Sequence, residues 1–243
     1  MVILVTNDDG DSQGLRILFE AAAKFDKRYA IIPNRQRSAI GCALTLHKPL
    51  RLAKIQEDMY SINGTPSDCA LFSMYSDEFT KPSLILSGLN WGDNTGMGPL
   101  IGSGTIGACW QGAINGTPAI AFSVEVRSGD WRDKENWVDE KIAISTIEKV
   151  IKLLKPKLKP FHFFNVNLPI NLTEKTEIVF NQKIQRKRYN TRVEKRIDPE
   201  SRPYYWTMGE KIKSDGEGKT DFEELLDGKI VITEISLNMF AKK

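Results

Sequence analysis

Histidine is scarce in this chain, with only His47 and His162 among 243 residues, and neither lies near a run of acids. Cysteine is nearly as rare. Cys42, Cys69 and Cys109 are widely spaced, odd in number and form no C-x-x-C pair. That argues against a disulfide framework and a thiolate zinc centre, so the three thiols read as small apolar residues in a reducing compartment. No apolar stretch approaches the length of a membrane span. The run at residues 2–5 is too short for a signal peptide and has no basic segment before it, so the expected location is cytoplasmic. A strong excess of one charge sign is missing too. The net charge is +3, which favours neither specific nucleic acid nor a membrane as a default partner.

What remains is an ordinary globular composition, 41% hydrophobic and 27% charged, long enough to bury a core without staples. Residues 2–6 form a short β-rich apolar run of the kind seen in fully buried strands. It stops at Asn7-Asp8-Asp9-Gly10, after which Leu15, Leu18, Ala22 and Phe25 recur at helical spacing. A second apolar run at 29–32 ends at Pro33, giving a β-α-β unit with parallel strands. Further strands are predicted at 83–86, 119–124, 161–166 and 230–235. Helices are predicted from Thr65 (N-cap, with Pro66 at N1 and Asp68 at N3), over 108–114, and around Ile147 to Leu154 before Pro156. The alternation predicts an α/β fold with a three-layer α/β/α, Rossmann-like parallel sheet. The core is expected to span about residues 1–168. Residues 169–243, basic over 183–196 and aromatic at Tyr204, Tyr205 and Trp206, read as an appended hairpin arm. The basic run reads mainly as a solvated face.

In an open parallel sheet, ligands bind beyond the carboxyl ends of the strands. Asp8 and Asp9 follow the first strand, Ser38 the second, and Asn90 and Asn94 the strand at 83–86, so these loops open on one edge. Two adjacent carboxylates repel unless something neutralises them. Oxygen donors from Asp, Asn and Ser suit a hard cation, magnesium or manganese, better than zinc. The competing reading, acids that are merely solvated or cap the following helix, is outweighed by Asn90 on the matching edge. Ser103-Gly104-Thr105 opens a helix, whose unpaired amides and positive dipole end suit a phosphate. The same residues also suit ordinary N-capping. The formal G-x-G-x-x-G at Gly102, Gly104 and Gly107 follows a long loop and lacks a P-loop lysine, which disfavours a dinucleotide site.

Several motifs in order, VTNDDG at 5–10, PNRQRS at 33–38, GTPSDC at 64–69, SGLNWGDN at 87–94, SGT at 103–105 and DPESRPYYW at 198–206, make the chain resemble the SurE family of survival-protein nucleotidases. The resemblance implies metal-dependent hydrolysis of nucleoside 5′- and 3′-monophosphates, with short polyphosphate as a further substrate. It implies metal ligands at Asp8, Asp9, Ser38 and Asn90; in such a site Asp8 or Asp9 is the expected catalytic base. Asn94, Ser103, Gly104 and Thr105 would then face the phosphate. It further implies a C-terminal arm exchanged within a homodimer or homotetramer. The chain departs from the family pattern in a shorter, proline-free turn at 11–14, in Trp91 where a small residue is usual, and in Gly102 where tyrosine is frequent. These departures keep open a nucleotide- or polyphosphate-binding sensor without turnover. A haloacid-dehalogenase-like phosphatase is disfavoured, because Gly10 stands where that chemistry needs a second carboxylate.

Overall fold

A computed structural model describes residues 2–126, 138–181, 183–214, 216 and 218–239. Its centre is a nine-stranded sheet. β1 (Val2–Thr6) pairs in parallel with β2 (Lys27–Pro33) on one side and with β5 (Leu84–Trp91) on the other. Beyond β2 lie β4 (Met59–Ile62) and β3 (Leu52–Gln56); beyond β5 lie β6 (Ala119–Val124) and β7 (His162–Leu168). β11 (Ile230–Ser236) runs antiparallel to β7, and β8 (Ile178–Phe180) closes that edge. The segment after residue 168 therefore supplies one sheet edge as well as an arm.

Alternation along the strands decides which layer each residue enters. Ile3 and Val5 of β1 face one cluster, packed by Leu15, Leu18 and Ala22 of α1 (Gln13–Ala23) and by Ile147, Val150 and Leu154 of α5 (Glu140–Leu154). Leu4 faces the other, packed by Cys69 and Met74 of α2 (Pro66–Tyr75) and by Ile106, Cys109 and Ala113 of α4 (Gly104–Ile114). With both faces covered, β6 and β7 are buried at every position, as a central parallel strand must be. Two short helices went unread in the sequence. α3 (Met97–Gly102) contains two glycines and a proline, and α6 (Asp221–Leu226) is only six residues long.

β1 is the strand from which the chain first builds toward β2 and then, after α2, restarts on the opposite side with β5. The carboxyl ends of β1 and β5 thus meet at a topological switch point. β5 adds a local device. Ser87 pairs with Ala121 but Asn90 pairs with Ser123, so β5 spends one more residue than its neighbour between these positions. Such a bulge re-aims the side chains beyond it, here those of Asn90 and Trp91.

β9 (Tyr189–Ile197) and β10 (Pro203–Lys211) form a separate antiparallel ribbon joined by residues 198–202. Asp198 holds the connection by accepting from the backbone N–H groups of Glu200 and Arg202, each at 2.9 Å.

The start of α2 carries the strongest local signal. Thr65 Oγ1 accepts from Asp68 N at 3.1 Å while the Asp68 carboxylate accepts from Thr65 N at 2.8 Å, a reciprocal capping box. The same carboxylate accepts from Thr45 N at 2.9 Å, so this cap also anchors the 34–50 connection. Thr65→Ala should lower stability by about 1–2 kcal/mol, read as a lower midpoint in denaturant unfolding with an unchanged slope.

Candidate functional site

The turn after β1 is shaped by one buried amide. Asn7 Nδ2 donates to Gly10 O at 2.8 Å and to Ser12 Oγ at 3.1 Å, and Asn7 Oδ1 accepts from Gly10 N at 3.1 Å. Ser12 Oγ also caps α1 through Leu15 N. This closed turn sends Asp8 inward, where it is 4% exposed, and leaves Asp9 half-buried. Asp8 O accepts from Arg37 N at 2.7 Å, which fixes the loop after β2 against the turn. From that loop Gln36 Nε2 reaches both Asp9 Oδ1 and Ser38 Oγ at 3.0 Å. One amide therefore holds two of the sequence-predicted oxygen donors together.

Asp8 packs against the start of α4. Thr105 Oγ1 donates to Asp8 Oδ1 at 2.5 Å. A Cβ on Gly104 would lie 2.8 Å from Asp8 Cβ and 3.1 Å from its Oδ2, so only glycine permits this approach. Burial pushes the Asp8 carboxyl up to about 6. The Thr105 hydrogen bond opposes that shift and the neighbouring Asp9 charge adds to it.

Asp8, Ser38, Asn90, Asn94 and Ser103 line one cavity of about 460 Å³, together with Trp91, Asp93, Gly98, Pro99, Gly102 and Tyr189. The structure thus brings residues from the ends of β1, β2 and β5 and from the front of α4 to one place. Several carry duties the sequence did not disclose. Asn90 Nδ2 donates to Gly92 O at 2.6 Å, so the side chain's acceptor is its carbonyl oxygen. Asn94 is locked, its Nδ2 on Ser123 Oγ at 2.8 Å and its backbone held by Asn165 and Asn167. Ser103 Oγ caps Ile106 N at 3.5 Å, and the Thr105 hydroxyl is committed to Asp8. At both positions the hydroxyl acts on the protein, as do the amides of Thr105, on the Asp8 carboxylate, and of Ile106, on Ser103 Oγ; what the start of α4 offers an anion is the positive end of its dipole.

Among the described residues no three His, Cys, Asp or Glu side chains gather in a metal-holding group. The donors here are two carboxylates, an amide and a hydroxyl, all oxygen. That chemistry fits a hard divalent cation and not a zinc centre of nitrogen and sulfur.

A second carboxylate in the cavity wall escaped the sequence reading. Asp93 takes Arg188 Nη1 on Oδ1 at 2.5 Å and Arg188 Nη2 on Oδ2 at 3.3 Å. Arg188 belongs to the basic run read as a solvated face, yet it is 4% exposed, with its guanidinium stacked 3.5 Å from the Phe222 ring centroid. The two residues are 95 positions apart, so no local pattern could pair them. Burial works to raise the Asp93 pKa, but the Arg188 hydrogen bonds and charge prevail and hold it below the ordinary 3.8. A depressed native pKa contributes stability that is complete above 3.8 and is lost as pH falls through the folded value. Asp93→Asn should therefore cost roughly 3–5 kcal/mol at neutral pH, because it strands a buried guanidinium. The gap from the parent should narrow in acid, as pH falls from 3.8 through the lowered folded value and the parent's own carboxylate becomes protonated; denaturant unfolding at neutral and at acid pH measures both effects.

The family model described as survival protein SurE matches residues 3–192. A protein named 5′-nucleotidase SurE from Methanothrix thermoacetophila is 36% identical, over 99% of this chain and 94% of its own length. One of the same name from Thermofilum pendens is 36% identical, over 98% and 91%. The crystal structure of the SurE protein from Aquifex aeolicus superposes with a TM-score of 0.82 at 33% identity, covering 98% of this chain and 94% of that one. With matching fold, matching length and a family model spanning most of the sequence, the chain belongs to the SurE family.

Proposed function

We propose that this protein is a divalent-metal-dependent phosphomonoesterase that hydrolyses nucleoside 5′- and 3′-monophosphates, with short polyphosphate as a further substrate. The observation that carries this reading is the gathering of Asp8, Ser38 and Asn90 on one cavity, with Asp9 tied to Ser38 through Gln36. The names of the relatives, 5′-nucleotidase SurE, support it for the 5′-monoesters.

In this reading Asp8, Asp9, Ser38 and Asn90 hold a magnesium or manganese ion. When bound, the ion supplies Lewis-acid polarisation of a phosphoryl oxygen. Thr105 orients Asp8 by its hydrogen bond. The start of α4 offers the positive end of the helix to the equatorial phosphate oxygens. Asn94, held rigid by Ser123, Asn165 and Asn167, forms part of the cavity wall beside them. Asp8 or Asp9 accepts a proton from the attacking water. Water adds to phosphorus, the ester P–O bond breaks, and the nucleoside leaves as an alcohol after receiving a proton.

The experiment is phosphate release from a panel of nucleoside 5′- and 3′-monophosphates and tripolyphosphate, with magnesium, with manganese and after chelation. Asp8→Asn should lower turnover at least about a hundredfold, and Thr105→Val, which removes only the orienting hydrogen bond, about ten- to hundredfold. Circular dichroism should show both variants folded. Full turnover in Asp8→Asn would refute the assignment, and binding without any release by the parent protein would favour a sensor.

The exposed apolar residues of the ribbon, Val193, Ile197, Tyr205 and Trp206, are all at least 55% exposed. A two-stranded ribbon bearing such residues is marginal alone. In our reading a second copy of the chain covers it, giving a homodimer or homotetramer. No helix among the described residues is long and apolar enough to cross a membrane. Sedimentation analysis should show an oligomer for the parent chain and a clear shift toward monomer for Trp206→Glu, which buries a charge in that contact.

A further inference from the structure

The root of the ribbon is built into the wall of the cavity. Arg188, the residue before β9, inserts its side chain beneath the loop at 92–97. It grips both carboxylate oxygens of Asp93, donates to Thr95 O at 3.3 Å and also donates to Thr95 Oγ1. Gly96, with φ of +80°, makes room for it. A Cβ there would lie 2.6 Å from Arg188 Cγ. Asp221 fastens the same junction, accepting from Gly96 N at 2.7 Å and from Gln185 N at 2.9 Å. Met97 N donates to Gln185 O at 2.8 Å.

Asp93 shares the cavity with Asp8, Asn90 and Asn94. An uncompensated second carboxylate there would oppose the entry of any phosphoanion, and the bidentate guanidinium is the group that cancels it. We propose that Arg188 is a positioning residue of this site: it neutralises Asp93 and sets the 92–97 loop, so that the cavity accepts phosphoanions only while the ribbon root is docked. This rests on the reading above that the cavity binds phosphate. It goes beyond that reading by assigning a charge-balancing role to a residue of the C-terminal arm, which touches neither metal ligands nor substrate.

Two unit charges roughly 10 Å apart at an effective dielectric constant of about 20 change a binding constant about tenfold. Direct binding of inorganic phosphate to the metal-loaded full chain, by equilibrium dialysis, reads this effect. Arg188→Gln should weaken phosphate binding about tenfold or more and raise KM more than it lowers kcat. Arg188→Lys, which keeps the charge without the fork, should fall between Arg188→Gln and the parent. The decisive variant is Asp93→Asn combined with Arg188→Gln. With the carboxylate gone, phosphate affinity should return to within about threefold of the parent, while thermal stability stays below the parent because the buried pair and its fastening of the loop are missing.

A purely structural role would move affinity and stability together in all three variants. Parent-like phosphate affinity in Arg188→Gln, or a double variant that binds no better than Arg188→Gln, overturns the proposal and leaves the reading of the cavity intact. A parent protein that binds no phosphate overturns both.

Discussion

Two like charges on adjacent residues, one of them pressed into the protein, are the constraint around which this molecule is arranged. Asp8 is nearly buried and Asp9 is its immediate neighbour, an arrangement that raises the Asp8 pKa. Several features of the fold answer to that one cost. The Asn7 amide closes the turn that leaves Asp8 buried and Asp9 half-buried. Thr105 supplies a short hydrogen bond to the inner carboxylate, and Gly104 removes the methyl group that would keep the helix away from it. Gln36 satisfies the outer one. In the proposed function this carboxylate pair, with the oxygen donors of Ser38 and Asn90, would hold a divalent cation.

The same problem recurs at Asp93 and has a different solution. There the compensating charge is covalent to the protein, an arginine carried in from the C-terminal ribbon and sandwiched against Phe222. The cavity wall is consequently shared between the α/β core and the arm. Asp221, Gln185 and Thr220 extend this junction through hydrogen bonds to Gly96, to the ribbon root and to one another. A ribbon with exposed aromatic residues at its tip and a buried ion pair at its root is mechanically continuous with the loop bearing Asn94.

Much of the architecture was legible as pattern. The apolar run at 2–6 became β1 and that at 119–124 became β6 without a change of boundary, because fully buried parallel strands need every position apolar or small. Thr65, Pro66 and Asp68 announced α2 because capping is local chemistry, complete within four residues. The strand predicted at 83–86 runs on through Gly88 to Trp91, since pairing to β6 overrides the weak strand propensity of glycine. α3 stayed hidden because Gly98 and Pro99 carry no helical signal.

By itself, then, the order of residues determined the layers, the parallel sheet, the family and the set of oxygen donors at the strand ends, because each is written in neighbours or in short periods. Only the tertiary structure decided what those donors do. It set the Thr105 hydroxyl on Asp8, the Ser103 hydroxyl on Ile106 N and the Asn94 amide on Ser123, and drew Arg188 out of an apparently solvated basic run into an ion pair with Asp93. Those outcomes depend on which side chains meet across tens of residues and on how deeply they are buried. Burial, which sets the cost of an unpaired charge, is a property of the packed molecule and has no local signature in the chain.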